Sequence, residues 1–78
     1  MEPIYTGYIF DVMDYVVQEI KTEMVNEKSD TKIMSLINVL ETLTKWDDEH
    51  KAVLYEDAPG QYSVVGYKIV EVEDETNR

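Results

Sequence analysis

The sequence lacks cysteine and has only three glycines, two prolines and one histidine. Without cysteine it forms no disulfide and no thiolate metal site, and one histidine does not complete the usual zinc ligand set. The glycines are isolated, so the sequence has no glycine-rich phosphate loop, and no serine lies in a nucleophile-elbow motif. These absences predict a non-enzymatic protein that uses neither a metal nor another cofactor.

Basic residues are also scarce. Seven lysines and arginines accompany 17 aspartates and glutamates, which gives a formal net charge of −10. Contacts to phosphate groups need lysine or arginine, so the composition disfavours direct binding of nucleic acid and docking on an anionic membrane. The class of partner that remains is another protein.

Long apolar runs are missing too. The apolar stretches fall far short of the roughly 20 residues of a membrane span. The first eight residues include Glu2 but none of the basic residues of a targeting leader, so the cytoplasm is the expected location. Hydrophobic residues make up 44% of the chain, which is enough for a small core, and we expect one acidic domain over residues 1–78.

The segment between Tyr8 and Ala58 contains neither glycine nor proline, and its first half has helical periodicity. Apolar residues recur at intervals of three and four, which predicts an amphipathic helix over about 7–27 with Thr6 as its N-cap. The apolar side of its N-terminal half is about twice as wide as a surface helix needs. This width indicates either a central core helix or a helix whose second side faces a partner chain.

A second periodic segment follows a polar break and predicts a helix over about 30–47, capped by Ser29 or Asp30. The short connection favours antiparallel packing of the two helices. Asp47 falls on the apolar side and indicates that the helix ends there. An alternative extends this helix to Glu56, because apolar residues return to the same side.

Residues 58–61 read Ala-Pro-Gly-Gln, which is typical of a type II turn. The flanking segments are rich in Val and Tyr and predict hairpin strands over about 51–57 and 62–73, followed by a frayed tail over 74–78. The predicted fold class is α+β: two antiparallel amphipathic helices followed by a C-terminal β-hairpin, with the N-terminal segment as a candidate third strand.

The expected register pairs Asp57 with Tyr62. Because side chains alternate between the two faces of a sheet, this register places Val65 on the same face as Leu54. The second strand then extends past its partner, and an unpaired edge is a template for another strand. The candidates for that edge are the N-terminal segment 3–6 and the same strand of a second copy.

Both faces of the predicted hairpin carry apolar residues, and a face left uncovered in a monomer usually marks an interface. A homodimer is therefore expected. The predicted self-association residues are Tyr8, Val12 and Tyr15 on the first helix and Ile69, Val70 and Val72 on the last strand.

Acidic residues form three groups along the chain. One group recurs every four residues on the first helix, where like charges at this spacing slightly destabilise the helix, so solubility or a basic partner is the better explanation. The predicted protein-binding residues are Glu19, Glu23 and Glu27 in this row, Asp47, Asp48 and Glu49 at the end of the second helix, and Glu71 and Glu73 on the last strand. Asp47 and His50 have a spacing that suits a shared divalent ion, but a solvated helix end is the favoured interpretation, and no metal site is predicted.

These patterns predict a non-enzymatic regulator or inhibitor with an acidic, tyrosine-bearing surface for a basic protein, in the manner of a nucleic-acid mimic. The partner is expected among proteins that handle nucleic acid. The alternative is a homo-oligomeric structural or assembly protein that associates through strand edge 69–72 and the first helix. In composition the chain resembles compact inhibitors and accessory proteins of mobile genetic elements, although no motif links it to a named family.

Overall fold

A computed structural model describes residues 2–26 and 29–69 of the chain. It contains two helices and a three-stranded antiparallel sheet, so the predicted α+β class is confirmed, including the N-terminal third strand. In chain order the elements are β1 (Pro3–Tyr8), α1 (Ile9–Asn26), α2 (Asp30–Leu43), β2 (His50–Ala58) and β3 (Gln61–Lys68).

The first helix begins later than predicted. Thr6 is not an N-cap, because it lies in β1 opposite Val53, and Gly7 lies opposite Ala52. The strand leads directly into α1 at Ile9, whose side chain is completely buried. Pairing with β2 satisfies the backbone of this segment more fully than the start of a helix would, since the first turn of a helix leaves its N–H groups unpaired.

The second helix begins as predicted and ends earlier. The Ser29 hydroxyl accepts a hydrogen bond from the Lys32 N–H at 3.4 Å, which makes Ser29 the N-cap of α2. After Leu43, the N–H groups of Thr44, Lys45 and Trp46 each donate to the carbonyl three residues earlier instead of four. This change to 3₁₀-type hydrogen bonding ends the helix. The alternative extension to Glu56 is wrong, because that segment is the central strand of the sheet and pairs on both sides.

The sheet has the order β1-β2-β3. The N-terminal strand therefore lies against β2. It was one of two candidates for pairing with the far end of the last strand, and the described residues exclude it there because β2 lies between β1 and β3. Ile69 still belongs to the hairpin ladder, since its N–H donates to the Glu49 carbonyl at 2.9 Å. The rest of the predicted overhang, residues 70–73, and the predicted tail, residues 74–78, lie outside the described residues.

The predicted turn is confirmed, but the register beyond it is not. Gly60 has a φ of 78°, the left-handed conformation that the third position of a type II turn requires. The register then shifts between Glu56 and Ala58, and from there Leu54 lies opposite Val64. Because one residue of slip turns every side chain of a strand over, Val65 lies on the face opposite to the predicted one.

The core lies between the helix pair and the inner face of the sheet. Burial of each valine, leucine or isoleucine there contributes about 1.5–3 kcal/mol, and eight hydrophobic side chains are at most 3% exposed. They are Ile9, Val12 and Val16 of α1, Leu36, Val39 and Leu43 of α2, and Ala52 and Leu54 of β2. Within the part of the chain that the structure describes, neither helix is long and apolar enough to cross a membrane.

Candidate functional site

Glu23, one of the predicted protein-binding residues, is buried between the two helices. Its side chain is 3% exposed, one carboxylate oxygen accepts the Ser29 N–H at 3.1 Å, and the other lies 3.2 Å from the Lys32 ammonium. The Ser29 N–H and the Lys32 ammonium hold the pKa of Glu23 below its usual range, and the bond to Glu23 raises the pKa of Lys32. This interhelix cluster joins the end of α1 to the start of α2.

Glu23 is therefore not an exposed member of the predicted acidic row on the first helix. Glu23 falls on the same side of α1 as Val12 and Val16, so the helix periodicity turns it into the core, where Lys32 neutralises it. Glu19 is half-buried, and Glu27 lies outside the described residues. The row was expected to be solvated because carboxylates are seldom buried without a partner, and here the partner comes from the next helix.

The second acidic group is exposed and forms the connection between α2 and β2. Asp47 accepts the Glu49 N–H at 3.0 Å and lies 2.9 Å from His50 Nδ1, and Asp48 is also exposed. The His50 side chain is the main cause of a lowered Asp47 pKa, with the Glu49 N–H second. Among the described residues, no group of three potential metal ligands comes together.

The interhelix cluster and the acidic connection lie at opposite ends of the sheet. The Lys32 Cβ is 3.7 Å from a Cβ position built on Gly60 in the hairpin turn, whereas Trp46, just before the acidic connection, packs on Gly66. Gly66 lies six positions after Gly60, which corresponds to a distance of about 20 Å along an extended strand. The predicted acidic residues thus do not form one continuous surface, and Glu71 and Glu73 lie outside the described residues.

A groove between α2 and the hairpin turn brings together two carboxylates that sequence reasoning did not select. It has a volume of about 500 Å³ and is open to solvent. Its lining residues are Asp30, Thr31, Met34, Ser35, Asn38, Asp57, Gln61 and Tyr62. The lining combines the negative charge of the two carboxylates with hydroxyl and amide groups, a set that suits a cationic side chain.

Hydrogen bonds hold the walls of this groove in place. The Tyr62 N–H donates to the Ser35 hydroxyl at 2.7 Å and joins β3 to α2. The Ser63 hydroxyl donates to Asp57 at 3.1 Å and orients that carboxylate. Burial raises the pKa of the Tyr62 phenol, so it remains a neutral hydrogen-bonding group in the wall. The groove is therefore organised before any partner arrives.

Asp30 and Asp57 were missed because their proximity is tertiary. Asp30 was identified only as a potential cap, and Asp57 only as the last residue of a hairpin strand. No sequence pattern reports that the start of α2 lies beside the hairpin turn. The available signal is indirect: both residues flank predicted chain reversals, where loops concentrate functional groups.

The outer face of the sheet, which the helices leave uncovered, carries aromatic and β-branched side chains. We define it by three cross-strand rows: Tyr8–Lys51–Tyr67, Thr6–Val53–Val65 and Pro3–Tyr55–Ser63. Tyr8, Val65 and Tyr67 are 51%, 55% and 44% exposed. The Lys51 ammonium lies 4.7 Å from the centroid of the Tyr8 ring, a cation–π contact.

The predicted self-association residues separate in the structure. Val12 is completely buried, so its inclusion in a first-helix interface is wrong. Tyr15 is half-buried and stacks on Tyr5 with ring centroids 4.6 Å apart, and burial, followed by the nearby Glu19 carboxylate, raises its pKa. Tyr8 is exposed, although on β1 rather than on a helix.

The strand residues predicted for self-association are only partly described. Ile69 is half-buried at the end of the hairpin ladder, whereas Val70 and Val72 lie outside the described residues. Among the described residues, the outer sheet face adds an exposed apolar surface that the predicted self-association residues, apart from Tyr8, did not include.

The chain was compared with family models, curated proteins and solved structures, and none of them matches it. Two surfaces of the fold are candidates for contact with a partner. These are the acidic groove on the helix side and the outer sheet face on the other side.

Proposed function

We propose that the protein is a non-enzymatic regulator or inhibitor that binds a basic protein through its acidic groove, in the manner of a nucleic-acid mimic. The observation that supports the proposal is the presence of Asp30 and Asp57 in one open groove with hydroxyl and amide groups. A lysine or arginine side chain of the partner enters the groove and donates charge-assisted hydrogen bonds to these carboxylates. The carboxylates take the place that phosphates occupy in a nucleic-acid ligand of the partner.

The distribution of the protein's own cations supports this assignment. Lys32, in the first turn of α2, bonds to the buried Glu23. Lys51 lies over the Tyr8 ring on the opposite side of the sheet. Both lysines are engaged within the fold. The Lys32 ammonium also acts on the Tyr62 phenol in the groove wall, and its ion pair with Glu23 offsets its charge there.

Exposed carboxylates outside the groove give the interaction its long-range component. Asp14 and Glu41 are exposed on the helices, and Asp48 is exposed at the acidic connection. Such charges raise the association rate with a basic partner and act less at high salt. Asp47, Asp48 and Glu49 stay predicted contact residues, and action in the cytoplasm is part of the same proposal.

Affinity capture with two charge-matched double variants tests the groove. The bait is the full chain, used as wild type, as Asp30→Asn with Asp57→Asn, and as Asp14→Asn with Glu41→Gln. Each variant replaces two carboxylates by amides and changes the net charge from −10 to −8, so long-range attraction decreases equally. Only the first pair removes carboxylates from the groove.

The proposal predicts that wild type and the Asp14/Glu41 variant recover the same basic protein at low salt and release it at high salt. The Asp30/Asp57 variant should fail to recover this basic protein at either salt concentration. Equal recovery by the two variants would show that the groove is not the contact surface. Recovery that resists high salt would contradict the electrostatic basis of the proposal.

A further inference from the structure

We infer that a second copy of this chain covers the outer sheet face, so that the protein forms a sheet-to-sheet homodimer while the acidic groove stays open. This inference concerns a surface that the proposed function does not use. The sheet has helices on one side only, and the centre of its other side is the row formed by Thr6, Val53 and Val65. An antiparallel sheet often leaves one face in contact with water. When that face carries an exposed apolar patch, the patch usually marks an interface with a partner.

Charge decides what kind of partner fits this face. The residues of the three outer rows include no aspartate or glutamate and one lysine, Lys51, in a chain with a net charge of −10. The Asp57 carboxylate reaches only the edge of the face, where it accepts the Ser63 hydroxyl, so a basic partner finds no counter-ion at the centre. An equally acidic copy meets no carboxylate in the central row, and depletion of charge is typical of the centre of an interface.

The exposed apolar residues on the helices are a poorer fit for a second copy. Met34 is 56% exposed and Phe10 is 59% exposed, but Asp14, Asp30 and Glu41 are exposed on the same two helices. Two copies joined through this layer would bring several carboxylates of equal charge together. Like-charge juxtaposition across an interface costs several kcal/mol.

The area of the outer sheet face is sufficient for a specific but weak dimer. A fully buried aromatic ring removes about 150–250 Å² from solvent, so the half-exposed Tyr8 and Tyr67 offer about 100 Å² each. With the remaining side chains, the face provides roughly 500 Å² per copy and roughly 1,000 Å² in total, the lower limit for a biological interface. An interface near this lower limit is expected to be weak.

Lys51 does not oppose this packing. Its ammonium already contacts the Tyr8 ring, and a desolvated cation–π pair is stronger than an exposed one. The two-fold symmetry of a homodimer uses the same patch on both copies, with sheets about 10 Å apart. The Val53 and Val65 side chains of the two copies then interdigitate at the centre, and the rows with Lys51 lie toward the rim.

Sedimentation equilibrium of the full chain from about 1 to about 500 μM tests the inference, because a micromolar dimer assembles over this range. Association should strengthen as salt is raised, since salt screens the repulsion between two copies of charge −10. Val65→Lys should raise the dissociation constant of the dimer at least about tenfold, because it buries one unpaired ammonium from each copy. Met24→Lys, on α1 and outside the groove, is the matched control: it adds the same charge at 55% exposure, equal to that of Val65, and should leave association unchanged.

Trp46 fluorescence verifies that each variant is folded, and Tyr67→Lys provides a second disruption of the same face if Val65→Lys fails to fold. A chain that stays monomeric at the highest concentration overturns the inference. A dimer that is disrupted by Met24→Lys and left intact by the outer-face variants also overturns the inference. The Asp30/Asp57 variant should still dimerise, so failure of the proposed groove and failure of the dimer give different results.

Discussion

The indole ring of Trp46 packs directly against Gly66, and the space normally taken by a Cβ in β3 is filled by the ring. A Cβ built on Gly66 would lie 2.6 Å from Cδ2 and 2.7 Å from Cζ2 of Trp46. Both distances are shorter than the 3.0 Å below which Cβ atoms essentially never approach other heavy atoms in proteins. Glycine is unfavourable inside a strand unless another group approaches closely, and Trp46 is that group. The contact closes the end of the core where α2 stops and the chain turns toward β2.

Gly66→Ala should therefore destabilise the protein by about 1–3 kcal/mol or more, because the ring or the strand has to move. Urea denaturation followed by far-UV circular dichroism measures the change. Val65→Thr, at a 55% exposed position on the outer face of the same strand, is the control and should change stability by at most about 0.5 kcal/mol. An unchanged urea midpoint for Gly66→Ala would show that Trp46 does not pack there.

A second variant separates steric conflict from a general loss of strand geometry. If Trp46 is the obstacle, Trp46→Leu combined with Gly66→Ala should be more stable than the sum of the two single changes predicts. The coupling in this double-mutant cycle should be at least about 0.5 kcal/mol. Strict additivity would mean that the two residues act independently.

Glu23→Gln should lower the thermal stability of the protein, because glutamine keeps the size of the side chain but leaves Lys32 without its ion pair. Glu19→Gln removes one carboxylate from the same helix without touching the interhelix cluster, and it is the matched control. Differential scanning calorimetry at neutral pH should give a lower melting temperature for Glu23→Gln than for Glu19→Gln. The reverse order would mean that the interhelix cluster does not hold the helices together.

The ion pair between Glu23 and Lys32 also predicts how the free energy of unfolding depends on pH. Folding lowers the pKa of Glu23 from its ordinary value of 4.5, so the stabilisation is fully present above that value. It is lost as the pH falls through the lower pKa of the folded state. Wild-type protein should therefore lose more stability between pH 5 and pH 2 than Glu23→Gln does, as measured by urea midpoints. Asp47, whose pKa is also lowered, contributes equally to both proteins.

Gly60→Ala should destabilise the hairpin for a conformational reason. Gly60 has a φ of 78°, and the nearest neighbour of an added Cβ is Lys32 Cβ at 3.7 Å, an ordinary contact. The cost is that of a left-handed alanine, about 1 kcal/mol, and asparagine should cost less at the same position. Thermal melts of Gly60→Ala and Gly60→Asn measure it. Equal stability of glycine and alanine would contradict the turn type.

Local patterns predicted the elements of this fold because each element depends on nearby residues. The spacing of Val12, Val16 and Leu36 produces buried helix sides, and Ser29 caps α2 as expected. The residues Pro59 and Gly60 produced the correct turn. An error of two residues arose where two elements competed for the same segment, at the junction of β1 and α1, and the end of α2 was placed four residues too late.

Features that depend on the meeting of distant segments were not predicted. One extra residue in the strand before the turn moved Val65 to the opposite face, and alternation alone does not reveal such a bulge. Glu23 looked like a member of an exposed row because its partner, Lys32, lies on another helix. The groove depends on Asp30 and Asp57 meeting across two elements, which no local spacing encodes.

A titration of the isotopically labelled protein with a hexa-arginine peptide, followed by two-dimensional NMR of its amides, tests the acidic groove most directly. The account predicts saturable shifts at the amides of Asp30, Thr31, Gln61 and Tyr62, lost at high salt and lost in the Asp30/Asp57 variant. The amides of the outer sheet face, such as Val53 and Val65, should not respond to the peptide. Shifts confined to the connection around Asp48, or spread evenly over all exposed carboxylates, would contradict a groove built for a cationic side chain.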